Sequence, residues 1–403
     1  MNYELKNLHN HPLGKPAKKL FPLEAGYTNL NNGSFGTVPL YVEEVRRHWL
    51  AKSERNPDKW LRLEYFQEYD RVRDEVADYV GAKKENLVFV QNATTGVNSI
   101  VRSLKFQPGE KVLYFSTTYN AVKQLLYYLQ EAQGLSLVEA PIDFPFKDEE
   151  VLKIIDELIN KQQNIKLAIV DAISSAPGVI FPFEKLIRLF KSKGILVLVD
   201  AAHAYGQIPL KLEEFGADFF VTNIHKWGHC ARPCALLHVA ENHQADVHPS
   251  AISHGYETRK FYDDFQWTGT TDLSQIMSVS AALEFRKAVG EERILTYIHE
   301  LAVKGGRQVA SILGTEVIGD EHQIGAMVNI RLPLSSEHGD KYIRGLAETL
   351  LKNFNIALMV YQYKINWYIR LSAQIFNSLE EFEMVGHLIR DLIEGRSPPS
   401  PKF

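Results

Sequence analysis

Three short polar clusters each follow an apolar run, and their residue types could do chemistry together. The run GILVLV ends on Asp200, with Ala201, Ala202 and His203 behind it. DFFVT ends on Asn223, followed by Ile224, His225, Lys226, Trp227 and Gly228. LVFV leads into Gln91, Asn92, Ala93, Thr94, Thr95 and Gly96, with a helix expected from Val97. Alone, each cluster has an ordinary reading. An acid at a strand end caps a helix or pairs with a base, a lysine there is a solvated charge, and Thr-Thr-Gly starts a helix well.

Together the three clusters hold the parts that pyridoxal phosphate requires. Lys226 supplies an amine that can form a Schiff base with its carbonyl carbon. Asp200 supplies a carboxylate that keeps the pyridine nitrogen protonated, so that the ring can absorb electrons from a substrate α-carbon. Thr94 and Thr95 supply hydroxyls at a helix start, where N–H groups and the helix dipole favour a phosphate dianion. Lys226 serves first as tether and then, once substrate displaces it, as general base.

These clusters need strands to hold them. KVLYFS, KLAIVDA, GILVLVDAAH, DFFVTN and CALLHV are short and rich in Val, Leu and Ile, and helical stretches such as AVKQLLYYLQEA and FEKLIRLFKSK separate them. Continuous apolar strands between helices are what a parallel sheet covered on both faces demands. EYFQEYDRVRDEVADYV places Phe66, Tyr69, Val72, Val76 and Val80 at helical spacing and stops at Gly81. The expected architecture is α/β: an N-terminal segment at 1–29, a large doubly wound, mostly parallel domain at 30–270, and a smaller α+β domain at 271–395. In the small domain AMVNIRLPL, IALMVYQY and WYIRLSA read as strands. A disordered tail is expected at 396–403, because its Pro and Ser residues cannot bury a face. Ligands in open α/β sheets bind beyond the C-terminal strand ends, where all three clusters fall.

The rest of the composition narrows the function. A net charge of -4 with intermixed signs gives no broad pull toward nucleic acid or anionic lipid. The first twenty residues lack the apolar core of a signal peptide, and no run approaches the roughly 20 apolar residues of a membrane helix. A cytoplasmic protein without membrane or nucleic-acid partners is expected. No G-x-G-x-x-G or P-loop pattern occurs, so a nicotinamide or nucleotide enzyme has no support. His225 and His229 have i,i+4 spacing, but Gly228 and Pro233 argue against a continuing helix, and no metal is expected.

LNNGSFGTVP, QNATTGVN, VDAAHAYGQIP, ADFFVTNIHKWG, WTGTTD and IRLS, in that order, resemble the class V aminotransferase family over about residues 27 to 385. The resemblance implies a fold type I PLP-dependent transferase fold. It implies Lys226 as the Schiff-base lysine, Asp200 as the pyridinium partner, and Thr94, Thr95 and His225 at the phosphate. It gives His203 a polar contact to the ring. Gly269 and Thr270 would reach the phosphate from the other subunit, which implies a homodimer with shared active sites. Arg370 would grip the substrate α-carboxylate, a task suited to a bidentate guanidinium, and Asn32 would line the substrate site. Where many members stack a histidine on the ring this chain offers Tyr119, and where they place an asparagine at the ring hydroxyl it offers Ser175.

The cysteine desulfurases of that family need a nucleophilic thiol on a mobile loop well beyond the lysine. Here only Cys230 and Cys234 follow Lys226, four and eight residues on, and they read as buried small hydrophobes. The opening HPLGKPAKKLFPLEAGYTNLNNGSFGTVP resembles instead the eukaryotic hercynylcysteine sulfoxide lyases of ergothioneine synthesis, in the isopenicillin N epimerase-like branch. The expected reaction is β-elimination from a cysteine S-conjugate, giving pyruvate and ammonia. An epimerase, with Tyr119 as a possible second acid or base, stays open, as does a PLP-binding regulatory protein without turnover.

Overall fold

The computed structural model describes residues 5–334 and 340–396, without the side chains of 340–344. Apart from Arg396, the tail expected at 396–403 lies outside the described residues. The chain divides into two compact units: Tyr41–Ser175 with Phe181–Phe285, and Glu4–Leu40 with Ala176–Ile180 and Arg286–Phe403.

Twelve strands are described: β1 (Thr28–Asn29), β2 (Leu87–Val90), β3 (Lys111–Phe115), β4 (Ser136–Ala140), β5 (Ile165–Asp171), β6 (Leu196–Asp200), β7 (Phe219–Asn223), β8 (Ala235–Val239), β9 (Met327–Arg331), β10 (Ile356–Ala357), β11 (Met359–Tyr363) and β12 (Asn366–Ser372). The first unit is built on a seven-stranded sheet of order β2-β8-β7-β6-β5-β3-β4. β8 runs antiparallel to β2 and β7, and the remaining pairs are parallel. Such mostly parallel order with helical crossovers is the doubly wound α/β fold expected from the apolar runs. Val112, Ile169, Leu198 and Val221 are fully buried in its core. The helix Tyr65–Val80 ends on Gly81 with φ 62°, as its spacing and C-terminal glycine predict.

The second unit holds the antiparallel sheet β11-β12-β9, packed on helices Glu291–Leu313 and Leu379–Ile393 through Val309, Val328, Ile369 and Val385. β1 pairs in parallel with β10, Thr28 against Ile356, which ties the start of the chain into this unit. The grouping of residues 4–40 with the C-terminal unit, rather than with a domain beginning at residue 30, follows from that pairing. Among the described residues no helix is long and apolar enough to cross a membrane.

Candidate active site

In the first unit, adjacent strands β5, β6 and β7 end side by side. Asp200 closes β6 and is buried. Burial pushes its carboxyl pKa up, while the Ala202 N–H, donating to Oδ1 at 3.1 Å, and the Lys226 charge pull it down. The Thr222 hydroxyl on β7 donates to the Ala201 carbonyl (2.6 Å) and accepts from the Tyr205 N–H (3.1 Å), pinning the loop after Asp200 to the next strand. Gly206 has φ 75°, and a Cβ there would lie 2.7 Å from the Trp227 carbonyl oxygen. Only glycine lets that loop rest against the turn carrying Lys226.

That turn is the helix Ile224–Trp227, whose first N–H groups donate to the Cys234 carbonyl. Lys226 is half-buried, with Nζ 3.1 Å from His203 Nε2. The Trp227 indole N–H donates to His203 Nδ1 at 3.4 Å, so the imidazole sits between the two side chains. His225 turns Nδ1 to the Cys234 carbonyl (2.6 Å), and burial lowers its pKa to about 4.

The helix expected from Val97 begins earlier, at Ala93, and runs to Ser103. Asn92 is its N-cap, its side chain accepting from the Thr95 N–H at 2.9 Å, a contact worth about 1 kcal/mol. Asn outranks Thr and Gly at this position, which moves the start forward by one turn. Of the first four N–H groups, Ala93 donates to Asn223 Oδ1, and Thr95 and Gly96 donate to Asn92. The Thr94 N–H has no partner among the described residues, and it points out of a helix start, where an anion is favoured. A Cβ on Gly96 would lie 2.6 Å from Val221 Cγ2, so the glycine sets how closely this helix packs on β7.

Tyr119 caps the helix Asn120–Gln133 and is 51% exposed. Ser175 ends the first segment of the first unit and is half-buried. Gly269 and Thr270 are exposed, and Gly269 shares a cavity of about 210 Å³ with Gln91, Thr95, Gln275 and Tyr65. Both cysteines are buried, and burial pushes the Cys230 thiol well up.

Arg370 and Asn32 belong to the second unit. Arg370 is 1% exposed on β12, its Nη2 donating to Asn31 Oδ1 (3.3 Å) and Ser34 Oγ (3.2 Å). The segment from Asn31 folds onto it, with the Gly33 N–H donating to Ser372 Oγ (3.2 Å) and Asn32 buried beside it. Gly178 leaves room for the Arg370 stem, since a Cβ there would come 3.2 Å from Cδ. A buried guanidinium costs several kcal/mol of lost hydration, and a site that holds one with oxygen acceptors suits an anionic ligand.

Residue types had not singled out two groups in the first unit. Asp171 closes β5 in register with Asp200, and Thr117 hydrogen-bonds its carboxyl. A signal existed: AIVDA at 168–172 repeats the pattern of VLVDA at 197–201, an apolar strand ending on Asp-Ala. The Trp227 contact to His203 had no such signal.

A family model described as aminotransferase class-V matches residues 41–359. The chain is 28% identical to "Hercynylcysteine sulfoxide lyase" of Schizosaccharomyces pombe, across 95% of this chain and 98% of that protein. It is 30% identical to "L-cysteine desulfhydrase-like protein lolT2" of Epichloe uncinata, across 95% and 94%. Among solved structures it is similar to an apo cysteine desulfurase of Thermococcus onnurineus NA1, with a TM-score of 0.74 at 21% identity, covering 95% of this chain and 98% of that one.

Proposed function

Since the chain belongs to the aminotransferase class-V family, whose cofactor is pyridoxal phosphate, we propose that it is a carbon–sulfur lyase cleaving a cysteine sulfoxide of the hercynylcysteine type by β-elimination. The bound cofactor supplies an electron sink for the substrate α-carbon. The residues present fit that group: a buried acid at a strand end, an amine on the neighbouring turn, and an open N–H at a helix start.

Each side chain has a task in this reading. Lys226 would tether the cofactor and then take the substrate α-proton on Nζ. Asp200 would hold its negative charge toward the ring nitrogen. His203 and Tyr119 would border the ring, and Ser175 would meet its hydroxyl. Thr94, Thr95 and His225 would hold the phosphate. Arg370 and Asn32 would receive the substrate, with the guanidinium on its carboxylate. Gly269 and Thr270 would complete the phosphate site of a second copy in a homodimer.

The observation that favours a lyase over a persulfide-forming desulfurase is the burial of both thiols. A nucleophilic cysteine must be a thiolate and accessible, and burial pushes the Cys230 thiol the other way. In β-elimination the sulfur leaves without a protein acceptor. The similarity to the Schizosaccharomyces pombe protein supports the sulfoxide as substrate.

The test is pyruvate release from hercynylcysteine sulfoxide, free cysteine and a simpler cysteine sulfoxide. Rapid release from the first is expected, falling by about 10²–10⁴-fold or more in Lys226→Ala. No pyruvate from any of the three, in protein that carries its cofactor, would sink the lyase reading and leave epimerisation as the reaction to assay.

A further inference from the structure

Asp171 is a second buried acid beside the one the cofactor needs. It is 3% exposed and closes β5 with its Cα in register with that of Asp200 on β6. Neighbouring strands lie about 4.8 Å apart, and paired residues point to the same face. Below Asp171 the Ala172 N–H donates to the Asp200 carbonyl at 2.9 Å, which locks the two strand ends together.

The Asp171 carboxyl reaches away from β6 to the turn after β3, where Thr117 Oγ1 lies 2.7 Å from Oδ2. The side chains before Tyr119 in that turn are each fastened. Ser116 Oγ accepts from the Ile142 N–H (2.9 Å), Thr117 is held by Asp171, and Thr118 Oγ1 accepts from the Phe115 N–H (3.0 Å). Lys123 Nζ donates to the Ser116 carbonyl at 2.8 Å. Tyr119 follows directly and is half exposed. Of these ties only Thr117–Asp171 runs to the strand next to Asp200.

We propose that Asp171 is a positioning residue, tying the turn that presents Tyr119 to the strand end that presents Asp200, so that the two groups keep a fixed spacing across the cofactor ring. The proposal rests on the cofactor assignment and not on which reaction follows. Two buried carboxyls side by side do not both ionise cheaply, so Asp171 works as the neutral partner and leaves the charge to Asp200. Its surroundings agree: burial first, then the charge of Asp200 on β6, oppose its ionisation, while the Thr117 hydroxyl and Lys123 on the following helix act the other way. A neutral amide should therefore replace it, whereas a methyl should not.

The experiment compares wild type, Asp171→Asn, Asp171→Ala and Thr117→Val as holoenzymes. It reads the visible absorption band of the cofactor and the cofactor dissociation constant, with thermal melts to confirm folding. Asp171→Ala and Thr117→Val are expected to shift the band and weaken cofactor retention about tenfold, the effect of one lost buried hydrogen bond. Asp171→Asn should stay within about twofold of wild type. Thr117→Val removes one hydroxyl at nearly constant volume, so it tests the tie even if Asp171→Ala fails to fold. Wild-type band and retention in a folded Thr117→Val would overturn the proposal, as would an Asp171→Asn that behaves like Asp171→Ala. A failure of the lyase reading is seen separately, as missing pyruvate with an unchanged cofactor band.

Discussion

Lys226 Nζ lies 3.1 Å from His203 Nε2 while Trp227 Nε1 lies 3.4 Å from the other nitrogen of the same ring. An indole N–H can only donate, so His203 Nδ1 must be the acceptor. In a neutral imidazole the proton then sits on Nε2, aimed at the lysine. When the Lys226 amine is neutral, Nζ accepts that proton, and this is the form that carries a lone pair. A nucleophile that must attack a carbonyl carbon needs that lone pair.

Trp227 is fully buried and is expected to act through His203. Trp227→Phe keeps an aromatic ring but deletes the donor, so His203 loses the contact that selects its tautomer. Capture of pyridoxal phosphate by the apoprotein, trapped with borohydride over time, should slow about three- to tenfold, the range of one modest hydrogen bond. An unchanged capture rate in a folded variant would show that the indole N–H has no part in orienting the ring.

His225 predicts a pH dependence of apoprotein stability. Burial is the main cause of its lowered pKa, about 4 against 6.5 in the unfolded chain; Lys226 and Arg232 add to it, and the Cys234 main chain acts the opposite way. Between those values the unfolded chain binds the proton and the folded one does not. The contribution of His225 is thus fully present above pH 6.5 and is lost as pH falls through about 4. Relative to His225→Gln, wild type should lose about 3 kcal/mol over that window. Urea midpoints of the two proteins from pH 4 to 7 measure the difference, and parallel curves would rule the effect out.

How much was legible in the residues depended on how far each contact reaches. Lys226 and Asp200 stood out because a charge at the end of an apolar strand is costly unless it has a task. The sheet was readable for a related reason, since runs such as LVLVD are too apolar to lie on a surface. The helix start at Ala93 was missed because Asn92, Thr94 and Thr95 are all good caps, and only the cap contact of Asn92 decides among them. The pairing of Thr28 with Ile356 joins residues more than 300 apart, and neither two-residue strand carries a pattern of its own. Asp171 was passed over because one acid at a strand end is ordinary. Its register with Asp200 makes it unusual, and register is set by tertiary packing.

Arg370 should be sensitive to a change that keeps its charge. Its Nη2 is held by Asn31 and Ser34, which fix the plane of the guanidinium. Lysine at this position keeps a cation but loses the fork that matches a carboxylate. Arg370→Lys is expected to raise KM for the amino-acid substrate by about 10–100-fold, with a smaller fall in kcat. Ser34→Ala removes one of the two ties and should raise KM by a few-fold only. Equal losses of kcat in both variants, with KM unchanged, would move Arg370 out of carboxylate binding.

The cysteines separate two chemistries that start from the same substrate carbon. A desulfurase carries the sulfur on a protein thiol, so replacing that thiol stops turnover. Here Cys230 is fully buried, with Sγ directed to the Ala231 carbonyl at 3.6 Å, and Cys234 is 1% exposed just ahead of β8. Burial holds Cys230 as the thiol, and neither side chain is accessible to an incoming sulfur. Cys230→Ala and Cys234→Ala should each cost about 1 kcal/mol of stability through the small void left behind. Pyruvate release should stay within about twofold of wild type in both, because the leaving sulfur never meets the protein. Iodoacetamide added to the native holoenzyme should leave the activity intact for the same reason. If either alanine variant stopped product formation while folding normally, one of these thiols would be the sulfur acceptor, and the elimination would have to be rewritten as persulfide transfer.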